Sequence, residues 1–174
     1  MPATIGRSYE HMRTLLILRH GKAAPEEGGN DAARPLSPRG KREAELMGQL
    51  LRKDDLVPDR VLASNARRTL ETARLAAAAA HFSGEIDELA ELYLAEPEAY
   101  ITAVRRNAPD AQRVLLVGHN PGLEALALIL TGDPVALPPA GLVVCSLPIA
   151  TFAELVPRVR GEMRRFVAPA ELEG

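Results

Sequence analysis

Two short, unbroken aliphatic runs constrain the fold most: residues 15–18, Leu-Leu-Ile-Leu, and residues 114–117, Val-Leu-Leu-Val. Neither alternates polar with apolar. Each therefore predicts a strand covered on both faces, as in a parallel sheet held between helices. Both runs also end abruptly in chemistry, the first at Arg19-His20-Gly21 and the second at Gly118-His119. A cation, an imidazole and a residue that permits a sharp backbone exit are an unusual way to finish an apolar strand.

The rest of the chain alternates in kind. Ser37-Pro38 reads as a helix start, cap followed by first-turn proline, and Ala44, Met47, Leu50 and Leu51 then share one helical face. Residues 60–64, "RVLAS", predict a second strand, and residues 66–80 an alanine-rich helix with Leu70, Ala73 and Ala77 on one side. A short strand is expected around residues 86–92 and a helix over 97–107. After residues 114–117, Asn120 is expected to cap a helix with Pro121 in its first turn and Gly132 as its stop. Residues 141–147 predict a further buried strand and residues 161–169 a last edge strand. Strands alternating with helices imply an α/β three-layer sandwich with a mostly parallel central sheet flanked by helices. We expect a flexible tail over residues 1–12 and one domain over 13–174.

Composition excludes several classes of function. The formal net charge of −2 and the 3% aromatic content, with no Trp, supply neither the basic field nor the stacking platforms of a nucleic-acid binder. Residues 134–153 carry no charge and match a membrane span in length, but they contain four prolines. They are read as loop plus buried strand, so no membrane partner is expected, and the cytoplasm is the expected compartment. The single cysteine, Cys145, fits a small buried apolar residue. No metal or cofactor is expected, because His20 and His119 lack the histidine–carboxylate spacing of metal sites and lie among guanidiniums.

In open α/β sheets, sites lie beyond the carboxyl ends of the strands. If the strands ending at His20, His119 and residue 64 are neighbours, two imidazoles meet Arg19, Arg67 and Arg68 at one edge. Arginine forks match phosphate oxygens. Each cation about 4 Å from a phosphoryl charge contributes on the order of 4 kcal/mol at an effective dielectric near 20, before desolvation. A neutral imidazole within such a cluster is a nucleophile for phosphorus.

The segments "LILRHG", "SNARRTLETA" and "LLVGHNPGLE", in that order, resemble the three signatures of the histidine phosphatase superfamily, the phosphoglycerate-mutase-like fold. The likeness extends from about Thr14 to Phe166. "ARPLSPRGKREAELMGQLL" and "GHNPGLEALALIL" resemble the compact SixA-type phosphohistidine phosphatases in particular. The resemblance implies His20 as nucleophile, with Arg19 beside it holding the phosphoryl group. It implies His119 as the second histidine, binding phosphoryl oxygens and stabilising the transition state. Aligning Ser64 and Thr72 with the second signature implies Arg68 as the phosphate-binding arginine and Arg67 as a variable position; Asn65 stands where proline is common. Arg34, in "RPL", is implied as a further phosphate contact, and Glu91 holds roughly the position of the family's general acid. Lys22 is read as a loop charge near the substrate. The implied function is a metal-independent phosphatase working through a phosphohistidine intermediate and releasing inorganic phosphate. Its substrate is phosphohistidine on a protein. The alternatives are a small phosphate ester, or a regulatory module that binds phosphate or phosphohistidine with little turnover.

Overall fold

The computed structural model describes residues 11–26 and 28–173. Of the expected tail at 1–12, residues 1–10 lie outside the described residues. Six strands form one sheet in the order β3-β2-β4-β1-β5-β6: β1 (Arg13–Arg19), β2 (Arg60–Ser64), β3 (Ile86–Leu89), β4 (Arg113–Gly118), β5 (Leu142–Leu147) and β6 (Glu162–Val167). The pairings from β3 through β2 and β4 to β1 are parallel, and β5 and β6 join antiparallel. The sheet is thus parallel across the four strands that build the site and antiparallel at one side.

The unbroken apolar runs have a direct packing cause. Leu15, Ile17, Val114 and Leu116 belong to one core, with α3 (Pro97–Asn107) and α4 (Gly122–Thr131). Leu16, Leu18, Leu115 and Val117 face the opposite core, with α1 (Pro38–Lys53) and α2 (Arg67–Ala79). All eight are fully buried. Full burial of such a side chain stabilises the fold by about 1.5–3 kcal/mol, which is why neither sheet face tolerates a polar residue here.

The Ser37 side chain accepts from Gly40 N–H at the start of α1, with Pro38 in the first turn. Ala44, Met47, Leu50 and Leu51 form its buried stripe, while Leu70, Ala73 and Ala77 do so on α2. Residues 134–153 are loop plus β5, and Cys145 is buried within that strand. Among the described residues no helix is long and apolar enough to cross a membrane.

Two local expectations need correction. Asn120 does not cap α4: its N-cap is Pro121, after a cis Asn120–Pro121 peptide. The Asn120 amide instead donates to Glu124 Oε1 at 2.7 Å and Leu137 O at 3.0 Å, tying the 133–141 loop to the helix. The strand expected over 86–92 stops at Leu89 and continues as a single 3-10 turn, Ala90–Leu92.

Candidate active site

Parallel register places Arg19 opposite Gly118, so β1 and β4 end side by side. The His20 backbone is then held from both sides. Its N–H donates to Gly118 O and its carbonyl accepts from Ala140 N–H, each at 3.1 Å. The His20 and His119 rings consequently lie 5.2 Å apart.

The glycines beside the two histidines serve close approach, not a sharp turn, since neither has a positive φ. A Cβ on Gly118 would sit 2.4 Å from the Tyr100 hydroxyl, and one on Gly21 2.9 Å from Gly40 O. Tyr100 needs that space because its hydroxyl accepts the His119 N–H at 2.9 Å. Gly21 N–H donates to Thr72 Oγ1, whose hydroxyl donates to Arg68 O at 2.7 Å. The loop after β1 is thereby fastened to the first turns of α2.

Hydrogen bonding fixes the His20 tautomer. Nδ1 lies 2.8 Å from Gly21 O, a pure acceptor, so Nδ1 carries the proton. Nε2 accepts from Arg68 Nε–H at 3.4 Å and keeps its lone pair. Burial, followed by the charges of Arg68, Arg19 and Arg34, outweighs the Gly21 hydrogen bond and lowers the His20 pKa to about 4. The ring is neutral at pH 7, with its basic nitrogen among cations.

His119 is oriented the other way. It is 1% exposed, with Nε2 2.6 Å from Ser64 Oγ and 3.3 Å from Thr69 Oγ1. Its Nδ1 is buried and meets no protein partner. Burial, then His20 and Arg68, lower its pKa to about 3. Arg19 Nε is likewise buried and unpartnered, although Arg19 NH1 donates to Leu137 O at 2.9 Å. Burial lowers the Arg19 pKa, opposed by the Glu124 carboxylate. Unpaired buried polar atoms are rare in native proteins and point to a ligand. Here three of them, Asn120 Oδ1 included, belong to residues lining one pocket.

That pocket, of about 300 Å³, is lined by Arg19, His20, Lys22, Arg34, Arg68 and His119, with Leu94, Asn120 and Pro139 at its walls. Arg68 is 4% exposed, and Arg34 and Lys22 complete four cations around the two imidazoles. Arg67 points elsewhere: its side chain is 60% exposed and its guanidinium is paired with Glu71. Glu91 is not brought to the site. It borders a separate hollow with Glu98 and Arg106, because the 3-10 turn after β3 buries Leu92 and leaves Glu91 exposed. No carboxylate lines the histidine pocket among the described residues.

Two residues that sequence reasoning did not single out enter the site. Asp31 accepts from Arg68 and Arg34, and the Tyr93 hydroxyl donates to the same carboxylate. The Tyr93 ring meets His119 edge-on at 5.5 Å. The three-residue spacing of Asp31 and Arg34 was a faint signal; nothing local ties either to Tyr93. No group of three or more potential metal ligands is present among the described residues.

The arrangement can receive a phosphoryl dianion on several cations while offering one imidazole lone pair to phosphorus. The chain is similar to known proteins. The profile of the Histidine phosphatase superfamily (branch 1) matches residues 15–99. An uncharacterized protein of Mycobacterium tuberculosis is 39% identical over 113 residues, 65% of this chain and 69% of that protein. Among solved structures, the proposed phosphohistidine phosphatase SixA of Nakamurella multipartitia superposes with a TM-score of 0.76 and 28% identity, covering 91% of this chain and 96% of that one. The corresponding proposed SixA of Agrobacterium tumefaciens gives 0.74 and 29%, covering 90% and 99%. With these likenesses joined to its paired strand-end histidines, the chain belongs to the histidine phosphatase superfamily, in its SixA-type branch.

Proposed function

We propose that this phosphatase removes the phosphoryl group from phosphohistidine on a protein, through a phospho-His20 intermediate and without a metal. The observation that carries the substrate choice is that no carboxylate among the described residues lines the pocket. An alkoxide leaving group needs a proton from a well-placed acid. Glu91, the sequence candidate, borders another hollow. Asp31 is held ionised at about 2, chiefly by the Tyr93 hydrogen bond, and cannot act as an acid near neutrality. Phosphohistidine asks less, because the bond that breaks and the bond that forms are both P–N and the leaving imidazole resembles the entering one.

In the first step His20 Nε2 places its lone pair on phosphorus. The substrate's P–N bond breaks, its electron pair returns to the leaving nitrogen, and solvent supplies the proton. Gly21 O holds the Nδ1 proton and steadies the ring as positive charge develops. Arg19 Nε–H and Arg68 donate to the phosphoryl oxygens, with Arg34 and Lys22 adding charge at the rim. His119 donates from Nδ1 when the Ser64 or Thr69 hydroxyl donates a hydrogen bond to a bare Nε2, a tautomer that an anion at Nδ1 selects. In the second step water attacks phospho-His20, inorganic phosphate leaves, and His20 recovers its lone pair.

The test is turnover of a phosphohistidine peptide beside a panel of alkyl and aryl phosphomonoesters, with and without chelator, for the native chain and His20→Ala. The expected result is chelator-resistant activity, lost in the variant, with phosphohistidine preferred over alkyl esters by about 100-fold or more, the scale of a missing general acid. Faster turnover of alkyl esters would transfer the assignment to a small-molecule phosphomonoesterase. Loss on chelation would remove the metal-free route.

A further inference from the structure

We propose that Asp31 is a positioning residue for phosphoryl transfer, an anionic clamp that fixes how Arg68 and Arg34 face the pocket. The inference rests on the phosphatase reading above and adds a residue to its machinery.

Asp31 engages Arg68 twice. Its backbone carbonyl accepts from NH1 at 2.8 Å and its carboxylate Oδ2 from NH2 at 3.0 Å. One hydrogen on each terminal nitrogen is thus committed to the same residue, which fixes the guanidinium plane. The unclamped Nε–H edge is left facing His20 Nε2 at 3.4 Å. The other carboxylate oxygen, Oδ1, accepts from Arg34 NH1 at 3.2 Å, while Arg34 Nε–H is held by Ala24 O. One carboxylate therefore ties two cations that would otherwise repel each other across the pocket.

The carboxylate is itself held. Tyr93 donates to Oδ2 from its place after the 3-10 turn that follows β3, and its ring stands edge-on to His119. Asp31 opens a 3-10 turn, Asp31–Ala33, in a loop whose Leu36 N–H is fastened to Glu71 on α2. The clamp thus joins the loop after β1, the first turn of α2 and the segment after β3. Its low pKa, about 2, makes it a fixed anion and not a proton carrier. Arg68 is nearly buried, so without this carboxylate its NH2 would lose a charge-assisted hydrogen bond with little solvent to replace it, and only the backbone carbonyl would still hold NH1.

The experiment compares the full chain with Asp31→Ala, Asp31→Asn and Tyr93→Phe. It measures kcat and KM on a phosphohistidine peptide, inorganic phosphate binding by calorimetry, and the melting temperature. In Asp31→Ala we expect kcat to fall about 10- to 100-fold, the cost of a misoriented ligand-holding group, with phosphate binding weakened. Asp31→Asn should recover part of both, since the amide oxygen still accepts from Arg68. Tyr93→Phe should shift both in the same direction by a smaller factor. An Asp31→Ala protein with kcat within about twofold of the native chain overturns the proposal, as does tighter phosphate binding at unchanged kcat, which would make Asp31 only an electrostatic brake. If Asp31→Ala does not fold, the same readings on the other two variants decide. Failure of the native chain to turn over phosphohistidine overturns the function proposed above, while the phosphate titrations still judge the clamp.

Discussion

His20 and His119 end neighbouring strands 5.2 Å apart, yet they present opposite nitrogens to the pocket chemistry. His20 gives Nδ1–H to a carbonyl and keeps a basic Nε2. His119 commits Nε2 to two hydroxyls and leaves Nδ1 unpartnered. The residue type is the same; the hydrogen-bond partner decides which ring keeps a basic nitrogen, as the proposed nucleophile needs, and which leaves a nitrogen open, as the proposed donor needs. A backbone carbonyl can only accept, so it locks one tautomer. A hydroxyl can give or take, so it lets the other ring follow its ligand.

The largest test of that division removes each ring in turn. His20→Ala should cost about four orders of magnitude or more in turnover and abolish acid-labile phosphate trapped on the protein after quenching. His119→Ala should cost about 10²–10³ in kcat, the scale of one lost transition-state donor, while phosphate is still trapped on His20. Equal losses, with trapping gone from both, would break the comparison.

Acid titration is the next test. Both folded-state pKa values lie below the ordinary 6.5, His20 at about 4 and His119 at about 3. Between those values and 6.5 the unfolded chain binds protons that the folded chain refuses, so stability falls as pH drops from 6.5 toward 4 and is retained above 6.5. Each imidazole contributes at most about 1.4 kcal/mol per pH unit. Denaturant midpoints at pH 7 and pH 5 should differ in the native chain, and differ less in His119→Gln. Equal differences would show that His119 is not held neutral by burial.

A smaller effect sharpens the role of the hydroxyls. Ser64→Ala leaves only Thr69, at 3.3 Å, to donate to His119 Nε2. We expect kcat to fall about tenfold with KM little changed, the sign of a donor weakened mainly in the transition state. A rise in KM alone would place Ser64 in ground-state binding. The smallest effect belongs to Glu91→Gln, expected within about twofold on phosphohistidine and monoesters alike, because the side chain borders another hollow. Selective loss of monoester turnover would restore it as an acid.

The difference in how legible these parts are has a physical basis. Arg19, His20 and His119 could be located from the sequence because each abuts a strand end, and strand ends are marked by a local break from apolar to polar residues. Arg68 was separable from Arg67 only by its spacing from Ser64 and Thr72. In the fold Arg68 sits on the pocket side of the first turn of α2, and Arg67 pairs outward with Glu71. Glu91 looked plausible because it follows the third strand. A single 3-10 turn there decides which side chains enter, and it brings Tyr93, not Glu91, toward the site. Asp31 and Tyr93 were invisible as a pair, since they stand 62 positions apart and neither lies in a strand or an α-helix.

The order of apolar runs and helical stripes, by itself, determined the two-sided burial of β1 and β4 and the placement of each histidine at a strand end, with Arg19 beside one of them. Those are properties of strand period and residue type, and they follow from the chain read locally. Only the tertiary structure decided that those two strands are neighbours, which nitrogen each imidazole exposes, that Asp31 and Tyr93 hold Arg68, and that no carboxylate among the described residues lines the pocket. These depend on hydrogen bonds of short reach between residues far apart in the chain, which close only after three loops are brought over the same strand ends.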